Sequence, residues 1–350
     1  MGVRIVEAEH SATSGGRSLT PDTVAAAAVE LLSDYPYLAE ALPENRIRRS
    51  VEATWPIPPH PLIFWLYVAA SPSLLGHEAA RACVSSLEAI VALLRTTGFV
   101  SGAWRSRFSR LLPKPRAASY EDVTDFRAAL FEVIGAFRLV TRSAAVDLQG
   151  DGPTPSYDLL VGPAGSPFVG VEAYCPQKGS EAWYREGVQL PWQSLISGEP
   201  LRIEDGVPTP GGVVDISIAP DAVGQALSRV LTDSNFQVQK ARQLAAGDLP
   251  TLLMIRGYGL TRRLVELITA QSSLALAEEI GAEAWACLPD QCVGLLVAFL
   301  GDVLQDVVLR ASPVVFVPSP NATVDNALWA YLRDAGMLST DLLKARPSPP

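Results

Sequence analysis

The sequence predicts an α/β protein in which a central mixed sheet is flanked by helices and preceded by an all-helical N-terminal region. Three observations carry that expectation. Apolar residues recur at helical spacing over Thr23–Leu32 and from Leu62 to about Gly98; apolar runs of strand length recur after residue 138; and Gly162–Pro167, rich in turn formers, splits two such runs as a hairpin loop would. With 350 residues, 48% hydrophobic and 19% charged, the chain can bury a substantial core and is long enough for two domains, which excludes disorder of the bulk. The division expected is a helical region over 1–116 ending in a basic linker, an α/β domain over 117–340 and a tail over 341–350.

The first helix is expected over Thr23–Leu32, capped by the Asp22 carboxylate. The prolines of Thr54–Pro61 force extended chain, and helical spacing returns from Leu62 to about Gly98 in two pieces separated by Ser71-Pro72-Ser73. A helix over Tyr120–Phe137 buries Phe126, Leu130, Phe131, Ile134 and Phe137, with Ser119 as its cap and Glu132 near its apolar stripe. Strands are expected at Leu139–Leu148, Tyr157–Val161 and Phe168–Ala173. After them, Gln177–Pro210 reads as an inserted loop with one short helix at Glu181–Glu186. A strand at Val213–Ile218 leads to a helix from Asp221 to Ala246, then to a fully buried strand at Thr251–Gly257. A helix over Thr261–Ile280, strands at Val293–Leu300 and Val314–Val317 and a helix at Ala327–Ala335 complete the domain.

Composition narrows the chemistry. The longest apolar windows, Pro61–Ala70 and Val293–Leu300, are too short to span a bilayer, and Met1–Thr20 lacks the apolar run of a leader, so a soluble cytoplasmic protein without membrane contact is expected. The four cysteines are scattered, and the one close pair, CLPDQC, has the spacing of neither a zinc knuckle nor a redox loop. All three histidines, His10, His60 and His77, precede the hairpin, so imidazole-based hydrolysis and histidine-ligated zinc are poorly supplied. Net charge is −9, unevenly spread: residues 1–120 hold 12 basic against 10 acidic residues, leaving 16 against 27 in the remainder. Such an acidic second part argues against non-specific binding of nucleic acid. The exception is local: Trp104–Arg116 carries Arg105, Arg107, Arg110, Lys114 and Arg116 among aromatics and no acid, a composition that suits a phosphate backbone, an acidic protein partner or a solvated hinge.

The hairpin concentrates the chemistry. Asp158 stands near the start of its first strand and Glu172 near the end of its second, so antiparallel pairing brings two carboxylates together. Two acids among apolar neighbours repel unless a cation lies between them, which suggests a hard-metal site; the competing reading is two acids at frayed strand ends facing water.

The order helix, three strands, helix, strand over about Tyr120–Gly257 resembles the core of the PD-(D/E)XK, or restriction-endonuclease-like, superfamily. TPSYDLL stands where that family has its first metal-binding aspartate, matching Asp158. VGVEAY stands at the (D/E)XK motif, matching Glu172, and FEVIGAF carries Glu132 where many members have a further metal-linked glutamate. Lys240 and Gln243, in QVQKARQLAAGDLPTLLMI, fall on a later helix that in the family points back toward the site. The resemblance implies a restriction-endonuclease-like fold and a Mg2+ held by Asp158, Glu172, the Ala173 carbonyl and Glu132. The departure is Tyr174, which takes the place of the motif lysine; a tyrosine with a pKa near ~10 is neutral at pH 7 and brings no positive charge. Two functions follow as expectations. One is a degenerate site retained in a binding or scaffold module; the other is a Mg2+-dependent nuclease acting on DNA or RNA, with Lys178 or Lys240 replacing the missing lysine.

Overall fold

The computed structural model describes residues 19–96, 120–148, 157–175, 189–197, 223–256, 272–298 and 314–345, apart from 57, 59, 75, 164 and 246. Two compact units emerge. The first combines Met1–Ser85, Leu112–Val123 and Gly179–Val214; the second combines Ser86–Leu111, Thr124–Lys178 and Asp215–Pro350.

The first unit is helical where it is described. Helix α1 (Pro21–Leu32) starts two residues earlier than the sequence suggested, because Pro21 suits the first turn and Thr20 and Thr23 form a reciprocal capping box. Asp22 therefore lies inside the first turn rather than at the cap. Helices α2 (Pro36–Ala41), α3 (Glu44–Thr54) and α4 (Pro61–Ala69) follow. In α4 every residue but Tyr67 is buried, and His60 caps it through Nδ1, which accepts from the Leu62 amide. Helix α5 (His77–Thr96) begins at His77 rather than at Ser71–Ser73. Within Gln177–Pro210, read from sequence as an inserted loop, Trp192 is buried and donates from Nε1 to the Pro56 carbonyl at 2.7 Å, with Trp55 and Phe64 edge-on to its ring.

The second unit is built on a six-stranded mixed sheet. Helix α6 (Tyr120–Leu139) leads into β1 (Ala145–Leu148), β2 (Leu159–Gly162) and β3 (Val169–Tyr174), which pair antiparallel in sequence order. The helix runs on to Leu139 and Thr141 Oγ1 then holds a turn by accepting from the Ser143 and Ala144 amides, so the strand expected over Leu139–Leu148 keeps only its last four residues. Helix α7 (Leu190–Ser197) belongs to the first unit; α8 (Val223–Leu231) returns to the second. The single helix expected from Asp221 to Ala246 is broken at Thr232–Asp233. It resumes as the short helix α9 (Ser234–Phe236), a π-turn over Gln237–Ala241 and the short helix α10 (Arg242–Ala245).

Strand β4 (Thr251–Arg256) then pairs parallel with β3, and β5 (Cys292–Ala298) parallel with β4, while β6 (Val314–Pro318) closes the edge antiparallel. Between them lie α11 (Ser273–Ile280) and α12 (Ala282–Trp285); α13 (Asn326–Asp334) and α14 (Thr340–Ala345) end the described chain. The two sheet faces are distinguished by alternation. Leu253 and Ile255 of β4 enter a core with Leu227, Phe236, Leu276 and Ile280, whereas Met254 between them faces the other way, against Gly135 of α6. The short helix at Glu181–Glu186, the strand at Val213–Ile218, the start of the Thr261–Ile280 helix and the caps Ser119 and Asp221 lie outside the described residues.

Tyr157 pins the mouth of the hairpin. Its hydroxyl donates to the Leu249 carbonyl at 3.1 Å and accepts from the Leu249 amide at 2.9 Å, and its ring lies on Gly170 and Gly247. A Cβ on Gly170 would overlap a ring that those two bonds prevent from moving aside. Gly170→Ala is therefore expected to cost about 2 kcal/mol of stability by urea unfolding, and Gly165→Ala, with open space beside its Cβ, to act only through its positive φ of 76°.

Asp341 ties α14 to the start of α11. Its carboxylate accepts from Ser272 Oγ at 2.6 Å, from the Ser273 and Leu274 amides at 3.2 and 3.1 Å, and from Ser339 Oγ. Burial pushes its pKa up, but the four donors outweigh that and hold it well below the usual carboxylate range. Its pKa is thus lower folded than unfolded, so its contribution is present above the unfolded value and is lost as pH falls toward the folded one. Asp341→Asn is expected to lose about 1 kcal/mol at pH 7, discounted for partial exposure, and in denaturant titrations the gap from wild type should hold down to about pH 4 and narrow only below it.

Candidate functional site

The site is made where two strand ends meet a broken helix. Register fixes the first half. Leu160 pairs with Gly170 and Leu159 with Val171, so one further step sets Asp158 opposite Glu172 on the same face of the sheet. Glu172 in turn lies beside Leu253 of β4, which places it on the face packed by α8 to α10. Asp158 is held there by the backbone it borders: its Oδ2 accepts from the Ala173 amide at 2.9 Å.

The π-turn supplies the second half. Lys240 Nζ donates to Asp158 Oδ2 at 3.0 Å and to Glu172 Oε2 at 3.1 Å, closing a triad of two acids and one base. Side-chain exposure is 15% for Lys240, 8% for Asp158 and 0% for Glu172, so these charges interact largely out of water. Glu172 Oε1 is buried, and no hydrogen bond reaches it from the described residues. Of the two lysines considered from the sequence, Lys240 is described and meets both acids. Lys178 and the basic residues Arg105, Arg107, Arg110, Lys114 and Arg116 lie outside the described residues.

Glu132 is buried on α6 at 5% exposure, and the neighbouring Gly135 meets Met254, on the sheet face opposite Glu172. Among the described residues no group of three acidic, histidine or cysteine side chains is gathered to hold a metal. Gln243 is half-buried on α10, just beyond the π-turn. Tyr174 is half-buried two residues beyond Glu172, and its ring meets that of Phe236 edge-on at 5.1 Å. The sequence reading missed the π-turn and the clamp made by Tyr157. A Pro- and Gly-free stretch of good helix formers gave no signal for the first; the adjacency of Tyr157 to Asp158 was the available sign of the second.

One ammonium serves two carboxylates, and the electrostatics follow from that count. Burial raises the Glu172 pKa most and the Asp158 charge raises it further; Lys240 pulls it down without prevailing, leaving it at about 8. Burial alone would lower the Lys240 pKa, but the two facing carboxylates outweigh it and raise it above the ordinary lysine value. Burial and the Asp158 charge thus favour the protonated form of Glu172 beside the Asp158–Lys240 ion pair. Comparison with protein-family models, with characterised proteins and with solved structures finds no match, so the functional argument rests on this geometry.

Because the Glu172 pKa is higher folded than unfolded, the native state binds the extra proton between the ordinary carboxylate range and about 8. Stability attributable to Glu172 is therefore full below that window and falls as pH rises through it. Lys240 does not oppose this trend, since its own contribution is lost only above its raised pKa. Glu172→Gln should flatten the decline between pH 5 and pH 9, by on the order of 2–4 kcal/mol, as read by urea unfolding across that range. An equally steep decline in the variant would place the titration elsewhere.

Proposed function

We propose that this chain is a divergent PD-(D/E)XK protein with a restriction-endonuclease-like core, and that it acts as a Mg2+-dependent phosphodiesterase on nucleic acid. The single observation that carries this reading is Lys240 Nζ at 3.0 and 3.1 Å from the two acids, a positive charge restored where Tyr174 had removed one. The order of α6, three antiparallel strands, helical segments and a parallel β4 supports the same core.

The donor set suits a hard cation. Asp158 and Glu172 offer carboxylate oxygens, and Glu172 Oε1 is a buried acceptor with no donor among the described residues. Asp158, Glu172 and the Ala173 carbonyl would hold Mg2+. When bound, the ion supplies Lewis acidity toward the phosphoryl oxygen and lowers the pKa of a water in its shell. Glu132, on the helix that packs the opposite face, is left out of this set.

The chain's own groups have separable roles. Asp158 and Glu172 fix the position of Lys240, whose ammonium orients an incoming water and offsets negative charge developing on the phosphoryl group. Glu172 must give up its proton before serving as an anionic ligand, so cation binding should strengthen as pH rises toward 8 and release a proton. The basic run Arg105–Arg116 supplies the phosphate-backbone contact in this reading.

The competing reading, a degenerate site kept in a binding or scaffold module, draws on Tyr174 and on the acidic charge of the second part. The two readings are separated by incubating the full chain with end-labelled single- and double-stranded DNA and with RNA, in Mg2+ or Mn2+. Cleavage that falls about 10²–10³-fold in Lys240→Met and is abolished in Asp158→Ala is the expected outcome. A metal-dependent rise in Tm should accompany it in the wild type and vanish in Asp158→Ala. Absence of both cleavage and metal-dependent stabilisation would favour the scaffold reading.

A further inference from the structure

We propose that Tyr174 and Phe236 form a positioning pair that sets the π-turn so that Lys240 reaches both acids, an inference that rests on Lys240 being the working cation of the site. In this account Tyr174 props the replacement in place of the lysine it displaced.

The geometry begins with the turn. Within Gln237–Ala241 the backbone hydrogen bonds span five residues instead of four, so the side chains beyond Phe236 are rotated relative to a continuous α-helix. Such a widened turn needs external support. At its N-terminal side the Asp233 carboxylate accepts from the Phe236 amide at 3.3 Å, the Asp233 carbonyl accepts from the Gln237 amide at 3.0 Å, and Gln237 Nε2 donates to the Leu231 carbonyl. At its C-terminal side Gln291 Nε2 donates to the Leu244 carbonyl at 2.7 Å. These bonds fix the ends of the segment, the last of them to the residue that enters β5. None of them lies beside Lys240 and β3.

The approach to β3 at Lys240 is set by rings. Phe236 is fully buried, immediately precedes the π-turn, and meets Tyr174 at 5.1 Å between centroids with an interplanar angle of 71°. Tyr174 and Glu172 are two residues apart on β3 and share a face, so the ring that touches the helical segment stands next to the carboxylate that Lys240 must reach. An edge-to-face pair is directional as well as apolar, which fixes orientation as well as spacing. A lysine at position 174 would forfeit that contact and bring a second ammonium beside Lys240. The contact is made by the ring and not by the hydroxyl, which predicts that phenylalanine substitutes for Tyr174 and small residues do not.

The chain has four lysines, Lys114, Lys178, Lys240 and Lys344, so amine labelling of the full-length protein can be read residue by residue. The measurement is the acetylation rate of each lysine with acetic anhydride at pH 8, followed by peptide mass spectrometry, with no metal or nucleic acid present. Lys344, exposed on α14, is the internal reference. In the wild type Lys240 should label at least tenfold more slowly than Lys344. Tyr174→Ala should raise the Lys240 rate at least tenfold with Lys344 unchanged, Tyr174→Leu, which keeps most of the volume, about threefold, and Tyr174→Phe should match wild type. Leu276→Ala, a cavity in the same core away from Tyr174, controls for general loosening and should leave the Lys240 rate unchanged.

An unchanged Lys240 rate in both Tyr174→Ala and Tyr174→Leu would overturn the proposal. So would a Tyr174→Phe variant as reactive as Tyr174→Ala, or a Leu276→Ala variant as reactive at Lys240. Because labelling requires no turnover, a wild type that cleaves no nucleic acid would sink the nuclease reading and leave this result standing on its own.

Discussion

The constraint on which the second unit turns is that one ammonium must satisfy two carboxylates that strand pairing forces together. Asp158 and Glu172 are not brought near by flexible loops; the register of β2 on β3 makes them neighbours, and the Ala173 amide holds Asp158 in that position. Their repulsion in a dry site would cost several kcal/mol if nothing opposed it. Lys240 opposes it, and a proton on Glu172 completes the neutralisation. The rest of the second unit can be read as the structure needed to deliver those three side chains to one point.

Delivery explains features that are otherwise costly. Gly170 gives up a side chain so that Tyr157 can lie across β3 and tie the hairpin to Leu249. Gly135 gives up one so that α6 can approach Met254 on the opposite face, leaving the acid-bearing face to the interrupted helix. The interruption itself substitutes poorer helical geometry for a straight helix that the sequence would support. The Gly170 contact and the interrupted helix both lie on elements that carry Asp158, Glu172 or Lys240, as expected when local rules are broken to build a site.

How much of this was legible in the sequence depended on whether the signal was periodic. The strands at Leu159–Gly162, Val169–Tyr174, Thr251–Arg256, Cys292–Ala298 and Val314–Pro318 all announced themselves as apolar runs between turn formers, and the juxtaposition of Asp158 with Glu172 followed from hairpin pairing alone. Helix ends were less legible, because Thr20 and Asp22 are both good caps and only the fit of Pro21 to the first turn chooses between them. The extension of α6 to Leu139 was hidden by Leu139 and Val140, which suit a strand as well as a helix. Nothing local distinguishes Gln237–Ala241 from an ordinary helical turn, since a π-turn is imposed by contacts at Asp233, Tyr174 and Gln291 that are distant in sequence or invisible to composition. The contact of Lys240 with the two acids could be named only as one of two candidates, because a helix that reads as continuous in sequence does not say which of its side chains faces the sheet.

On the nuclease reading, the charge count also bears on how a polyanion could approach an acidic protein. With both acids ionised the triad carries a net charge of −1, and the surrounding sequence from residue 121 onward is strongly acidic, so a phosphate group meets repulsion at the site. Protonation of Glu172 brings the triad only to neutrality. A divalent cation in exchange for that proton would take it to +1, reversing the sign of the local field at the place where the phosphoryl group must sit. Attraction of substrate and competence of the site would then depend on the same exchange, and an acidic protein would engage its phosphodiester only where a cation was already held. A scaffold that lacked such an exchange would have no corresponding reason to keep two acids and a lysine buried at such cost, since an apolar trio of similar size would be at least as stable.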